Sequence, residues 1–134
     1  MRLASSYPHR ERSHEMKFIR ATDNNGTATF STEEIRFKPG EEFGGNAARG
    51  VTIAESHPPD TTFYSLWIKK DGLHPWHTSP MTGTTIVLQG KGTIKTLDDE
   101  IHYEAPALVY FPGNVSHTWC DIEEDTLVVV AVLP

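Results

Sequence analysis

The stretch Thr84–Asp121 reads TTIVLQGKGTIKTLDDEIHYEAPALVYFPGNVSHTWCD, and its punctuation decides the fold class. Short runs rich in β-branched and aromatic residues cover Thr84 to Leu88, Gly92 to Leu97, Ile101 to Tyr103, Leu108 to Phe111 and Ser116 to Cys120. Between them lie Gln89-Gly90-Lys91, Asp98-Asp99 and Pro112-Gly113-Asn114, which are turn-forming clusters. Strand-rich runs broken at this frequency read as antiparallel β-structure. The same texture extends outward to Thr27–Phe30, Val51–Ala54, Thr62–Ile68 and Thr126–Leu133, with Lys70-Asp71-Gly72 as a further turn. Helical patterning is scarce. Ser31 followed by Glu34 begins like a capping box, but Pro39-Gly40 comes almost at once and leaves room for one turn or a short strand. Many short strands without helices predict an all-β sandwich or closed barrel.

The 134 residues suit one domain with a sizeable core. Hydrophobic content of 37% and charged content of 22% describe an ordinary globular chain rather than a disordered one. A net charge of −6 argues against a nucleic-acid partner, whose phosphates require clustered Lys and Arg. Cys120 is the only cysteine, which excludes an intrachain disulfide and fits a reducing compartment. No apolar run approaches the roughly 20 residues of a membrane helix, and residues 1–15 lack the apolar centre of a signal peptide. The expectation is a cytoplasmic protein with a flexible arm over 1–15, a single barrel domain over 16–134, and no membrane partner. The glycine-rich segment Pro39–Arg49 (PGEEFGGNAAR) has no helix pattern or Lys-Ser/Thr after it to make a phosphate loop. It reads as a surface loop or lid.

Chemistry concentrates in two segments: Gly72-Leu-His74-Pro-Trp-His77-Thr-Ser79, running on to Gly83 and Gly90, and Pro112-Gly-Asn114-Val-Ser-His117-Thr-Trp119. Together these resemble the two motifs of the cupin superfamily. The first family motif runs Gly, five residues, His-x-His, three or four residues, Glu, six residues, Gly. The second runs Gly, five residues, Pro-x-Gly-x-x-His, three residues, Asn, and its opening Gly falls on Pro106. Counting back from Gly90 puts the first family histidine on His77, the second on Ser79 and the glutamate on Gly83. In the second motif Pro112 and His117 match, Asn114 replaces the glycine, and Asp121 stands for the final Asn. Asn tolerates the left-handed backbone that such a turn needs.

The resemblance implies a double-stranded β-helix (jelly-roll) barrel, commonly a homodimer, enclosing a small-molecule site. Full members of the family hold a divalent metal through three His and one Glu; in this register only His77 and His117 remain. A second register pairs His74 with His77 and adds His117, enough imidazoles for iron, zinc, manganese or nickel. Positions 74 and 77 fall on opposite faces of a regular strand, so this register requires a bulge, which Pro75 would permit. His9, His14, His57 and His102 are assigned no role.

If His117 points inward, period two carries Trp119 and Asp121 with it and sends Thr118 and Cys120 outward. Ser79 and Met81 then share the face of His77, and Thr85 faces inward on the next strand. Trp67, Met81, Thr85, Tyr110 and Trp119 are the expected substrate contacts, in an aromatic-lined pocket suited to an apolar or aromatic ligand. The expected function is a small-molecule enzyme of secondary or catabolic metabolism, similar to polyketide-cyclase-type cupins. His77 and His117 would serve cyclisation, isomerisation or dehydration as acid and base, or with a metal. The alternatives are a non-catalytic ligand-binding cupin and a metal-dependent dioxygenase using His74, His77 and His117.

Overall fold

A computed structural model describes residues 16–43, 48–54 and 62–133. The expected arm over 1–15 lies outside these. Two compact units divide between Arg36 and Phe37, so the span from 16 to 134 holds a hairpin unit as well as the barrel.

In the first unit, β1 (Met16–Asn24) and β2 (Thr27–Ile35) pair antiparallel from Met16↔Ile35 to Asn24↔Thr27. Asn25 and Gly26 close the hairpin with φ of 57° and 90°. Two left-handed residues in a two-residue loop give the turn whose twist matches its strands, which is why Asn-Gly serves here. The Gly26 amide also donates to the Asp23 carboxylate at 2.8 Å. The segment from Ser31, read as one turn or a short strand, is strand through Ile35 because every residue of it has a partner on β1.

The second unit is one antiparallel sheet of seven strands. It comprises β3 (Phe37–Pro39), a 3₁₀ turn (Gly40–Phe43), β4 (Arg49–Ala54), β5 (Phe63–His77), β6 (Thr82–Thr96), β7 (Glu100–Glu104), β8 (Ala107–Phe111) and β9 (His117–Leu133). The order is β3-β4-β5-β9-β6-β7, with β8 on the same edge of β6 as β7. The chain is all-β, as expected. Of the segment Pro39–Arg49, residues 44–47 lie outside the described set.

Two pairs of expected strands are fused. Thr84–Leu88 and Gly92–Leu97 form the single β6, and Ser116–Cys120 and Thr126–Leu133 form the single β9. Gly90 bends β6 rather than ending it. Its φ is +102°, and a Cβ there would lie 2.4 Å from Thr126 Oγ1 and 2.6 Å from the Asp125 carbonyl oxygen. The ladder to β9 shifts at this point, and the inward parity flips with it. Thr85 and Val87 are buried before the bend, Ile94 after it. Asp121, with φ 48°, does the same on β9. Trp119 is buried ahead of it and Ile122 behind, while Asp121 itself is exposed. The expected inward Asp121 is thereby corrected: a left-handed residue breaks the alternation that the expectation assumed.

The core gathers Val51, Leu66, Ile68, Val87, Ile94, Tyr103, Trp119, Ile122 and Val128. Tyr103 meets Trp119 edge-on, with centroids 5.1 Å apart, and its hydroxyl lies 2.6 Å from the Thr126 hydroxyl. Buried in this way, the Tyr103 phenol is pushed up to about 12.

Candidate active site

His77 and His117 are register partners on neighbouring strands β5 and β9, and His74 is the partner of Trp119. Three chain steps from His74 to His77 therefore face two steps from His117 to Trp119. The ladder shift between the two pairs is the bulge that the three-histidine register required. Pro75 sits inside it, and having no N–H it leaves no ladder donor unpaired. The extra residue cancels the parity mismatch, so both imidazoles turn to one side. The His74 and His77 ring centroids lie 4.3 Å apart, and those of His77 and His117 4.2 Å apart. Phe111, at the end of β8, stacks on His117 at 3.8 Å with an interplanar angle of 11°.

Hydrogen bonds fix two of the three rings. Nδ1 of His77 lies 2.8 Å from the Pro75 carbonyl, and Nδ1 of His117 lies 3.0 Å from that of Val115. A carbonyl oxygen only accepts, so each Nδ1 carries the hydrogen, and in the neutral ring Nε2 keeps its lone pair. The Thr118 hydroxyl donates to the His74 carbonyl across the strands at 2.6 Å. Nδ1 of His74 is buried with no hydrogen-bond partner. Burial, then repulsion from His77 and His117, lowers the His74 pKa to about 3. Burial also lowers that of His117, opposed by its bond to Val115 and assisted by His77. At neutral pH His74 is therefore uncharged, and His117 favours its basic form.

These rings line a cavity of about 100 Å³. Met81, Thr85 and Trp119 line it, as does Ser79, whose hydroxyl accepts the Met81 amide at 3.1 Å. The Ser79 carbonyl accepts the Asn114 amide at 2.7 Å, tying the two motif segments together. Asn114 has φ 66°, the left-handed conformation expected of it.

Trp67 and Tyr110 are not part of the wall. β5 is apolar on both faces, and the residues it turns to the cavity are Leu66 and Ile68; Trp67 is buried on the opposite face. On β8 the inward residue is Phe111, while Tyr110 is 64% exposed. The wall is consequently more aliphatic than aromatic. Val128, Val130 and Val132 supply much of it from β9, the strand between β5 and β6. Thr126–Leu133 is apolar at both parities, so the sequence carried no alternation to mark this face. His102, given no role, pairs with Glu123 at 2.7 Å on the exposed side of the sheet.

Among the described residues no group of three or more His, Cys, Asp or Glu side chains is arranged to hold a metal ion. His74, His77 and His117 meet as packed rings, and as placed they do not make a metal centre. No helix among the described residues is long and apolar enough to cross a membrane.

The sequence matches no protein-family model and no curated protein. Solved structures do match. The polyketide cyclase RemF from Streptomyces resistomycificus aligns with a TM-score of 0.55 at 17% identity, over 64% of this chain and 67% of that one. An RmlC-like cupin from Shewanella frigidimarina gives 0.56 at 14% identity, over 73% and 83%. KdgF from Halomonas sp. gives 0.53 at 17%, over 60% and 77%. Identities this low carry the fold and leave the chemistry to the site itself.

Proposed function

We propose that this chain, whose fold is that of the cupins, is an enzyme that moves protons on a small organic substrate, in a cyclisation, isomerisation or dehydration. The observation that carries the reading is the His77–His117 pair. Two imidazoles in contact, each with Nδ1–H tied to a backbone carbonyl, are left with Nε2 as a base at one end of an apolar cavity. One Nε2 takes a proton from the substrate, for instance from a carbon beside a carbonyl. The imidazolium so formed returns the proton to the oxygen or carbon that has gained electron density, which restores the neutral ring. The apolar wall lowers the local dielectric, so charge developing beside it is felt more strongly than in bulk water. Structural neighbours include proteins described as a polyketide cyclase and as a DMSP lyase, which is compatible with proton-transfer chemistry on this barrel.

The test is hydrogen exchange in D2O, followed by NMR, with phenylacetone as a minimal carbon acid. The wild-type protein should accelerate deuterium incorporation beside the carbonyl. His77→Ala combined with His117→Ala should lose about 100-fold or more of that acceleration, the usual worth of positioned acid–base groups. Unchanged exchange in the folded double variant would end the proposal, and a wild-type protein without acceleration would favour the non-catalytic binding reading. Metal-dependent oxygenase chemistry at the same rings predicts near-stoichiometric iron, nickel, manganese or zinc in purified protein, lost on replacing His74.

A further inference from the structure

The polar groups of the cavity are few and of one kind. Among the described residues that line it, none is a Lys, Arg, Asp or Glu. What remains is three imidazoles at one end, with the hydroxyls of Ser79 and Thr85. The Ser79 hydroxyl already accepts the Met81 amide, and two of the six ring nitrogens are taken by carbonyls. Nδ1 of His74 has no partner in the protein. The rest of the wall is aliphatic or aromatic, from Leu66, Ile68, Val128, Val130, Phe111 and Trp119.

We infer that the cavity selects an uncharged, largely apolar molecule that presents one oxygen function, a phenolic or enolic hydroxyl or a carbonyl, to the histidine cluster, and that it rejects carboxylates and phosphates of the same size. The inference rests on this cavity being the substrate site. A buried carboxylate must be matched by a cation or by several donors aimed at it, because it surrenders its hydration on entry. Here the wall has no fixed cation, and at pH 8 an ordinary imidazole is neutral. A neutral hydroxyl, by contrast, meets what it needs. An imidazole Nε2 accepts its proton, and the apolar body covers the valines of β9. A dianion such as oxalate, named in the description of one structural neighbour, is the opposite case: nearly all charge, with no apolar surface for this wall.

The probes are p-cresol and benzoate, close in size and differing chiefly in charge. Each is titrated at pH 8 into the full chain while imidazole and indole ring protons are followed by NMR. The expected result is p-cresol binding with shifts at His77, His117 and Trp119, and benzoate binding at least about 100-fold more weakly, the cost of an uncompensated buried charge. Met81→Lys introduces a cation on a flexible stem at a partly exposed lining position, and it should narrow that ratio by tenfold or more. Equal or tighter binding of benzoate to the wild-type protein overturns the inference, as does failure of both probes to bind. An unchanged ratio in folded Met81→Lys also overturns it, since the probes would then sit elsewhere. Failure of the catalytic reading looks different: charge selectivity persists while deuterium exchange is indifferent to His77 and His117.

Discussion

Acidification from pH 7.5 to 5.0 should cost this protein stability through His74 in particular. In the unfolded chain its imidazole titrates near 6.5, and in the folded protein near 3. Between these values the unfolded state binds a proton that the native state refuses, so stability rises with pH across the window and falls as pH drops below 6.5. The loss is negligible at pH 7.5, reaches about 2 kcal/mol at pH 5.0, and grows further until the folded ring itself accepts the proton near pH 3. The lowered pKa of His117 adds loss of the same sign, so the wild-type slope alone does not isolate His74. The comparison is urea denaturation of wild-type and His74→Gln protein at pH 7.5, 6.0 and 5.0. The variant has its own baseline stability, but between pH 7.5 and 5.0 it should lose about 2 kcal/mol less than the wild type. In parallel, the ring proton of His74 should show no titration by NMR between pH 8 and 4.5. Parallel pH slopes in the two proteins, or a His74 ring that titrates near 6, would refute the account of burial and crowding given for this residue.

Two further expectations concern the barrel that holds the site. Gly90→Ala combines a backbone at φ +102° with a Cβ placed 2.4 Å from Thr126 Oγ1; it should cost about 3 kcal/mol or more in denaturant unfolding, and a loss below about 1 would show that the bend is slack. Tyr103→Phe removes the hydroxyl that donates to Thr126 Oγ1, whose own hydrogen goes to the Glu124 carbonyl at 3.0 Å, and should cost about 1–2 kcal/mol; an unchanged urea midpoint would mean that the phenol hydrogen bond adds nothing to stability.

Much of this arrangement was legible in the amino-acid order, and the failures have definite causes. Turn residues announced an all-β chain, and the Pro-x-Asn-x-x-His spacing singled out His117 because a left-handed Asn114 serves that turn as glycine would. Strand ends were misread where a left-handed residue bends a strand without stopping it, as at Gly90. Periodicity misplaced Asp121 for the same reason: one bulge inverts every parity beyond it. Trp67 was set on the inner face because β5 is apolar on both sides, and alternation cannot choose between two apolar faces. Tyr110 was preferred to Phe111 although they are adjacent and only one can face inward. The contact of His74 with His77 was legible only as a condition, that Pro75 mark a bulge. Asn25-Gly26 is a strong hairpin signal in its own right, since both residues accept the left-handed backbone of a two-residue loop.

The Pro75 irregularity has a consequence for how this chain can change length. A one-residue deletion or insertion in a half-buried strand ordinarily exchanges its two faces from that point on. Between His74 and His77 the rule is suspended, because the surplus residue is already outside the ladder. A shortened version missing Pro75 would carry the two histidines as alternate residues of an unbroken strand, still opposite Trp119 and His117. Loss of one residue at that spot is thus a length change on β5 that keeps the three imidazoles together, where the same loss within a regular stretch of the strand would turn one of them away.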